Sequence, residues 1–170
     1  MGATPDELEI LHARYATSLF SYLCSLVRDR AAAEDLLQEV FLAGLREDGA
    51  ALLPAAWWFR VARNAASNHL RGRRRRRETG VEEGTSLAAE SAGPLAASIG
   101  REEEHRVREA LARLDSAKSE ATLLHYGLGL AYAEVAEIQG VPEGTVKSRC
   151  HHGLAALRGF LSVLSPERER

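Results

Sequence analysis

Residues 132 to 157 read YAEVAEIQGVPEGTVKSRCHHGLAAL. Their order of apolar, glycine and basic positions has the organisation of a helix-turn-helix: a short helix, a turn at Gly140, Val141 plugging the core, then a second helix. On that second helix Val146, Cys150, Leu154 and Leu157 recur along one side. Thr145, Ser148, His151 and His152 point the other way, with Lys147 and Arg149 at the margins. Short polar and basic groups on an outward face can reach phosphates and base edges. The competing reading is a solvated face of an ordinary bundle, and the turn pattern weighs against it. Cys150 falls on the apolar stripe and reads as a buried, inert thiol. Cys150, His151 and His152 do not read as a metal site, because consecutive helical residues diverge by about 100°. No metal and no cofactor is expected.

The rest of the chain carries the same helical signature. Its 170 residues include only 5 Pro and 6% aromatics, and Ala, Leu, Glu and Arg dominate, which favours helices over sheets. With 45% hydrophobic and 27% charged residues, the composition is that of a globular protein. The expected fold is all-α: two small helical domains joined by a flexible linker, the C-terminal one a four-helix helix-turn-helix domain.

In the N-terminal part, Thr4-Pro5-Asp6-Glu7 reads as a capping box with Pro at the first helical position. It precedes a stripe of Leu8, Leu11, Tyr15, Leu19, Tyr22, Leu23 and Leu26. A second helix starts after an Asp29 cap and runs to about Leu45, with Ala33, Leu36, Leu37, Val40 and Phe41 inward and Glu34, Asp35, Gln38 and Glu39 outward. A third starts near Pro54 and continues into the arginine run, completing a domain over residues 1 to 77. Residues 78 to 100 read ETGVEEGTSLAAESAGPLAASIG, without apolar period and rich in Gly, Ser and Glu, and the linker is placed over 78 to 104. Apolar periodicity resumes with Val107, Ala110, Leu111 and Leu114, defining a second domain over 105 to 165.

The net charge of -2 conceals a pattern. Residues 1 to 77 carry 12 Lys+Arg against 9 Asp+Glu, residues 78 to 104 carry 1 against 7, and residues 105 to 170 carry 9 against 8. The basic excess gathers at Arg71 and the unbroken run Arg73 to Arg77, where it can neutralise phosphates whatever the total. Cys24 and Cys150 lie far apart with no CxxC spacing and no signal peptide ahead of them, so a reducing cytoplasm is the expected setting. No apolar run approaches the roughly 18 to 20 residues needed to cross a bilayer, and no membrane insertion is expected.

On a helical wheel, residues 57 to 71 put Arg60, Asn64, Ser67, Asn68 and Arg71 on one side and Trp58, Val61, Ala62, Ala65 and Ala66 on or near the other. Trp57 falls with the polar group. An aromatic beside arginine and amide side chains suits the opening of a duplex, supplying a flat stacking group and donors for phosphates and base edges. Trp58 reads as core. For Trp57 both a wedge against DNA and burial at a domain edge are open.

Three segments in order resemble the extracytoplasmic-function (ECF) sigma factors, compact members of the main bacterial sigma family that keep its domains two and four. AAAEDLLQEVFLAGL (31 to 45) is similar to the polymerase-binding helix, AWWFRVARNAASNHLRGRRRRR (56 to 77) to the promoter-melting helix, and LAYAEVAEIQGVPEGTVKSR (130 to 149) to the helix-turn-helix of domain four. The resemblance implies that Asp35, Leu36, Gln38, Glu39 and Phe41 belong to the motif that docks on the clamp helices of the largest polymerase subunit. Trp57, Arg60, Arg63, Asn64, Asn68, Arg71, Arg73 and Arg74 would meet the minus-ten element, with loop 46 to 53 capturing a flipped base. Thr145, Lys147, Ser148, Arg149, His151 and His152 would meet the minus-thirty-five element. Implied partners are core RNA polymerase, including the flap of its second largest subunit, promoter DNA and an anti-sigma factor. The chain departs from the family pattern in four places. Asn68 stands for the usual Asp and His152 for the usual Arg, the loop before Trp57 is shorter, and Trp57-Trp58 replaces the usual Trp-Leu.

A conventional DNA-binding regulator is the competing reading, and the DLLQE segment (35 to 39) argues against it. An enzyme has little support: there is no phosphate loop, metal-ligand spacing or nucleophile elbow.

Overall fold

The structure, a computed structural model, describes residues 5 to 80 and 101 to 164. It divides into two helical units, one N-terminal and one C-terminal. The N-terminal unit consists of α1 (Pro5–Val27), α2 (Arg30–Leu45), a single 3-10 turn (Ala50–Leu52) and α3 (Ala55–Glu78). The C-terminal unit consists of α4 (Arg101–Ala112), α5 (Ser116–Thr122) prolonged by a π-type turn (Leu123–Gly127), α6 (Tyr132–Gln139) and α7 (Glu143–Leu164). The expected all-α fold of three and then four helices is what forms.

Helix α1 starts at Pro5, where a missing N–H costs nothing. The capping box expected there depends on Thr4, which lies outside the described residues. The turn into α2 is tight: Arg28 takes a φ of 53°, and Asp29 accepts the Ala32 N–H at 3.1 Å as the expected N-cap. The core is aromatic at its centre. Trp58 is fully buried, stacked 5.6 Å from Tyr15 and tilted 5.6 Å from Phe41. Its six-membered ring lies over Gly44 so closely that a Cβ at position 44 would clash with it.

The sequence pattern erred in detail. Phe59, absent from the expected apolar face of α3, is buried edge-on to Tyr22 at 5.5 Å. Leu26 and Leu37 are only half-buried, while Cys24 and Val27 fill the core beside them.

Helix α3 runs unbroken through Gly72 to Glu78, and from Arg74 onward every residue is exposed. The expected linker begins as this helix ends, but residues 101 to 104, also assigned to it, form the first turn of α4. Glutamates read as linker composition are equally at home at a helix N-terminus. Residues 81 to 100 lie outside the described residues.

In the second unit Asp115 caps α5, accepting the Lys118 N–H at 3.0 Å and pairing with its ammonium at 2.6 Å. Ala121, Leu124, Val135, Ile138, Val146 and Cys150 form the core. Gly140, where the sequence places the turn, takes a φ of 66° and its N–H bonds to the Ala136 carbonyl at 2.9 Å, a left-handed helix stop. Val141 is half-buried rather than a full plug, and so is Leu154. Gly153 is buried instead, because α7 there passes so close to Thr122 that a Cβ would clash with the Thr122 hydroxyl.

Both tryptophans lie in the first unit, so indole fluorescence reports its unfolding alone. Gly44→Ala should destabilise it by about 1–3 kcal/mol through overpacking against Trp58. Gly72→Ala, whose methyl would meet only the Arg76 guanidinium at 3.6 Å, should stabilise α3 by up to about 1 kcal/mol. Urea unfolding of the full chain followed by fluorescence gives both values, and equal midpoints for the two variants would refute this packing.

Candidate nucleic-acid interface

Helix α2 turns Glu34, Asp35, Gln38 and Glu39 to solvent, as its periodicity requires. Leu36 and Phe41, also assigned to polymerase docking, are 4% and 8% exposed. They pack inward and hold the helix in place, so the surface of that motif is its polar row. Between α2 and α3 runs an open groove of about 480 Å³, with Glu39 and Leu36 on one rim and Asn64, Asn68 and His69 on the other. The structure thus brings Glu39 of α2 and the amides of Asn64 and Asn68 on α3 to one groove, which sequence spacing alone does not reveal.

Along α3, Asn64, Ser67, Asn68 and Arg71 are exposed, while Arg60 and Arg63 are half-buried. Trp57 is half-buried, with its ring edge-on to Trp58 at 5.1 Å. It is neither core nor free, because the Trp58 indole occupies the interior and leaves its neighbour a partial shelter. Arg71 donates to the Asn68 side-chain oxygen. These two residues, with Gly72, Arg75 and Arg76, line a second concavity of about 540 Å³. Arg75 and Arg76 belong to the arginine run read as phosphate-neutralising but were not among the residues assigned to the minus-ten element. Arg73 diverges from this set: it turns toward Asp29 at 3.9 Å and its side chain is only 20% exposed. Arg74 pairs with Glu78 at 2.9 Å. In the loop ahead of Trp57, Gly49 has a φ of 72° and Leu52 is 89% exposed.

On α7, Lys147, Ser148, His151 and His152 share the exposed face, and Thr145 is half-buried at its edge. Lys147 pairs with Glu143 at 2.7 Å and lies 5.7 Å over the Tyr132 ring. Arg149 does not join them. It is half-buried and donates to Gln139 at 2.8 Å, because the helical step from the buried Val146 carries it toward α6. Sequence reasoning also missed Glu120 and Gln139, buried polar groups at 8% and 7% exposure; a polar residue in a core leaves no periodic signature. The Cys150 thiol is pushed up by burial and directs its sulfur to the Ala121 carbonyl at 3.4 Å, a packing role as the apolar stripe implied. Among the described residues no helix is long and apolar enough to cross a membrane.

The described residues thus form two helical units, one ending in an arginine-rich helix and one carrying a helix-turn-helix. Residues 11–76 match the family model "Sigma-70 region 2" and residues 104–157 match "Sigma-70, region 4". The chain is 32% identical to RNA polymerase sigma factor CarQ of Myxococcus xanthus over 97% of its own length and 95% of the relative's. It is 33% identical to ECF RNA polymerase sigma factor SigL of Mycobacterium tuberculosis, over 98% and 97%. Among solved structures, the sigma factor RpoE in complex with the anti-sigma factor NepR from Bartonella quintana aligns with a TM-score of 0.69 at 26% identity, covering 91% of this chain and 96% of that one. CnrH, solved with the cytosolic domain of CnrY, shares the fold with a TM-score of 0.64 at 22% identity. The chain belongs to the ECF group of the sigma-70 family of RNA polymerase sigma factors, with regions two and four.

Cys24 and Cys150 are both buried, and a buried thiol reacts slowly because the thiolate is the nucleophile. In native buffer at pH 8 neither should react with a chromogenic disulfide within minutes, and both should do so in denaturant. Rapid native modification would contradict the burial.

Proposed function

We propose that this ECF sigma factor docks on core RNA polymerase through the outward row of α2, opens promoter DNA with α3, and reads the minus-thirty-five element with α7. In this reading residues 1 to 77 form domain two, 78 to 100 an acidic connector, and domain four begins with α4 at residue 101. Asp35, Gln38 and Glu39 meet the clamp helices of the largest subunit, and the second unit meets the flap of the second largest. Arg60, Arg63, Asn64, Asn68, Arg71 and Arg74 bind the minus-ten element, joined by Arg75 and Arg76, while Trp57 stacks where the duplex opens.

The observation that carries this proposal is the single groove with Glu39 on one rim and Asn64 and Asn68 on the other. A docking helix and a melting helix that share a groove let polymerase binding and strand opening be felt at one place. Lys147, Ser148, His151 and His152 supply the major-groove contacts, where bidentate and short polar side chains discriminate base pairs. His152 in place of an arginine offers an imidazole rather than a forked guanidinium. Phosphodiester chemistry is left to the polymerase, and this chain acts as its specificity subunit in the cytoplasm. RpoE is held by an anti-sigma factor, and a partner of that kind is proposed for this chain.

Run-off transcription with purified core polymerase over genomic promoter fragments tests the reading. Specific initiation should require the chain, and Glu39→Lys should weaken core binding by about tenfold or more, since like-charge or lost polar contacts at an interface cost roughly 1–3 kcal/mol. Trp57→Ala should reduce permanganate-reactive open complex while leaving closed-complex binding nearly intact. Operator binding by the chain alone with no response to core enzyme, or equal open-complex formation by Trp57→Ala and wild type, would overturn the corresponding part.

A further inference from the structure

A chain of polar groups crosses the interior of the second unit and ends on α7. Gln139, at the end of α6, donates from Nε2 to Glu120 Oε2 on α5 at 2.8 Å and to the Ala117 carbonyl at 3.1 Å. Its Oε1 accepts from Arg149 Nη1 on α7 at 2.8 Å. All three bonds agree on the orientation of the amide. Turned over, it would set its oxygen against two acceptors and its NH2 against a guanidinium. Glu120 and Gln139 are 8% and 7% exposed, so misplaced partners would be left in a poorly solvating interior.

The same stretch of α7 is tied to α5 at two further points. Cys150 Sγ lies 3.4 Å from the Ala121 carbonyl, and Gly153 lets the backbone approach Thr122. Those two contacts fix how close the helices lie, but neither is strongly directional. The link through Gln139 is directional, since amide and guanidinium planes accept only a narrow range of approach.

Resting on the reading of α7 as the promoter-reading helix, we propose that Glu120, Gln139 and Arg149 form a positioning relay. It sets the rotation of α7 about its axis, so that Lys147, Ser148, His151 and His152 enter the groove in register. Arg149 acts from inside the unit rather than on a base, and Glu120 and Gln139 are positioning residues that act through it. An apolar residue at 139 would pack as well or better, yet would leave this rotation to shape alone. Side chains that read base edges must be held within about 0.5 Å and 10–20° of their working geometry, which is what a directional tie supplies.

The test is run-off transcription by the reconstituted holoenzyme from a promoter it recognises and from a set with single-base changes in the minus-thirty-five element. Gln139→Met should lower transcription roughly tenfold, the scale for breaking a buried bond to a charged group, and should flatten the differences between promoters. Arg149→Met should do the same, and the double variant should be no worse than Arg149→Met alone, because the two act in series. Glu120→Gln keeps an acceptor toward Gln139 and should retain most of the discrimination. Circular dichroism checks folding, and Gln139→Asn, an amide too short to span both partners, replaces Gln139→Met if that variant does not fold. Multiplying losses in the double variant, or undiminished promoter discrimination by folded Gln139→Met, overturns the relay. Lys147→Ala separates the two levels. If it too leaves discrimination unchanged, the reading of α7 fails and the relay with it, whereas loss by Lys147→Ala with none by Gln139→Met defeats the relay alone.

Discussion

The Trp58 indole lies against the backbone of Gly44, and the first unit is arranged around that contact. It fixes how near α3 comes to α2, and with Tyr15 and Phe41 packed around the same ring it ties all three helices at one point. Aromatic pairs of this kind contribute beyond the area they bury, by about 0.5–1.5 kcal/mol each. The close approach has consequences at the surface. It places Glu39 of α2 beside Asn64 and Asn68 of α3, and it leaves no interior room for Trp57, which is half-buried edge-on to Trp58. The docking, melting and wedge residues of the proposed mechanism therefore depend on a glycine that is none of them.

The second unit uses the same device at Gly153 and Thr122. Residues 149, 150 and 153 of α7 meet residues 120 to 122 of α5 through Gln139, a carbonyl and a bare backbone respectively. Small or hydrogen-bonded groups on this inner side bring α7 close to its neighbours, and its opposite side stays clear for Ser148, His151 and His152. In the π-type turn at Leu123–Gly127, His125 stacks on Tyr132 of α6 at 3.9 Å.

What the sequence made legible follows from which signals are local. The Asp29 cap, the Gly140 stop, the outward row of α2 and the stripe of Val146, Cys150 and Leu157 each depend on residues within a turn or two, and each is found where periodicity or capping chemistry puts it. Contacts between helices were not legible. Nothing in the spacing of α3 says that Phe59 faces Tyr22, or that Arg73 leans toward Asp29 while Arg71 bonds to Asn68. Leu154 lost its expected place to Gly153 because the deciding fact was the distance to another helix. Arg149 stands on the second helix of the helix-turn-helix and carries a positive charge, so the family resemblance placed it on DNA; only the position of Gln139 shows that it turns inward.

The basic groups assigned to DNA are for the most part already paired within the chain. Lys147 holds Glu143, Arg74 holds Glu78 and Arg71 holds Asn68, all through exposed side chains on their own helices. Exposed pairs of this kind are worth about 0–1 kcal/mol, so exchanging such a partner for a phosphate costs little, whereas each phosphate neutralised releases condensed counterions and favours binding at low salt. The pairing also keeps the arginine run from standing as a bare block of like charge in the free chain. Arg149 is the contrasting case. Its partner is buried and oriented by a carboxylate behind it, and withdrawing it toward a phosphate would leave the buried Gln139 Oε1 without its donor. On α7 an exchangeable cation, Lys147, and the fixed one, Arg149, stand on the same helix, and the depth of their partners distinguishes them.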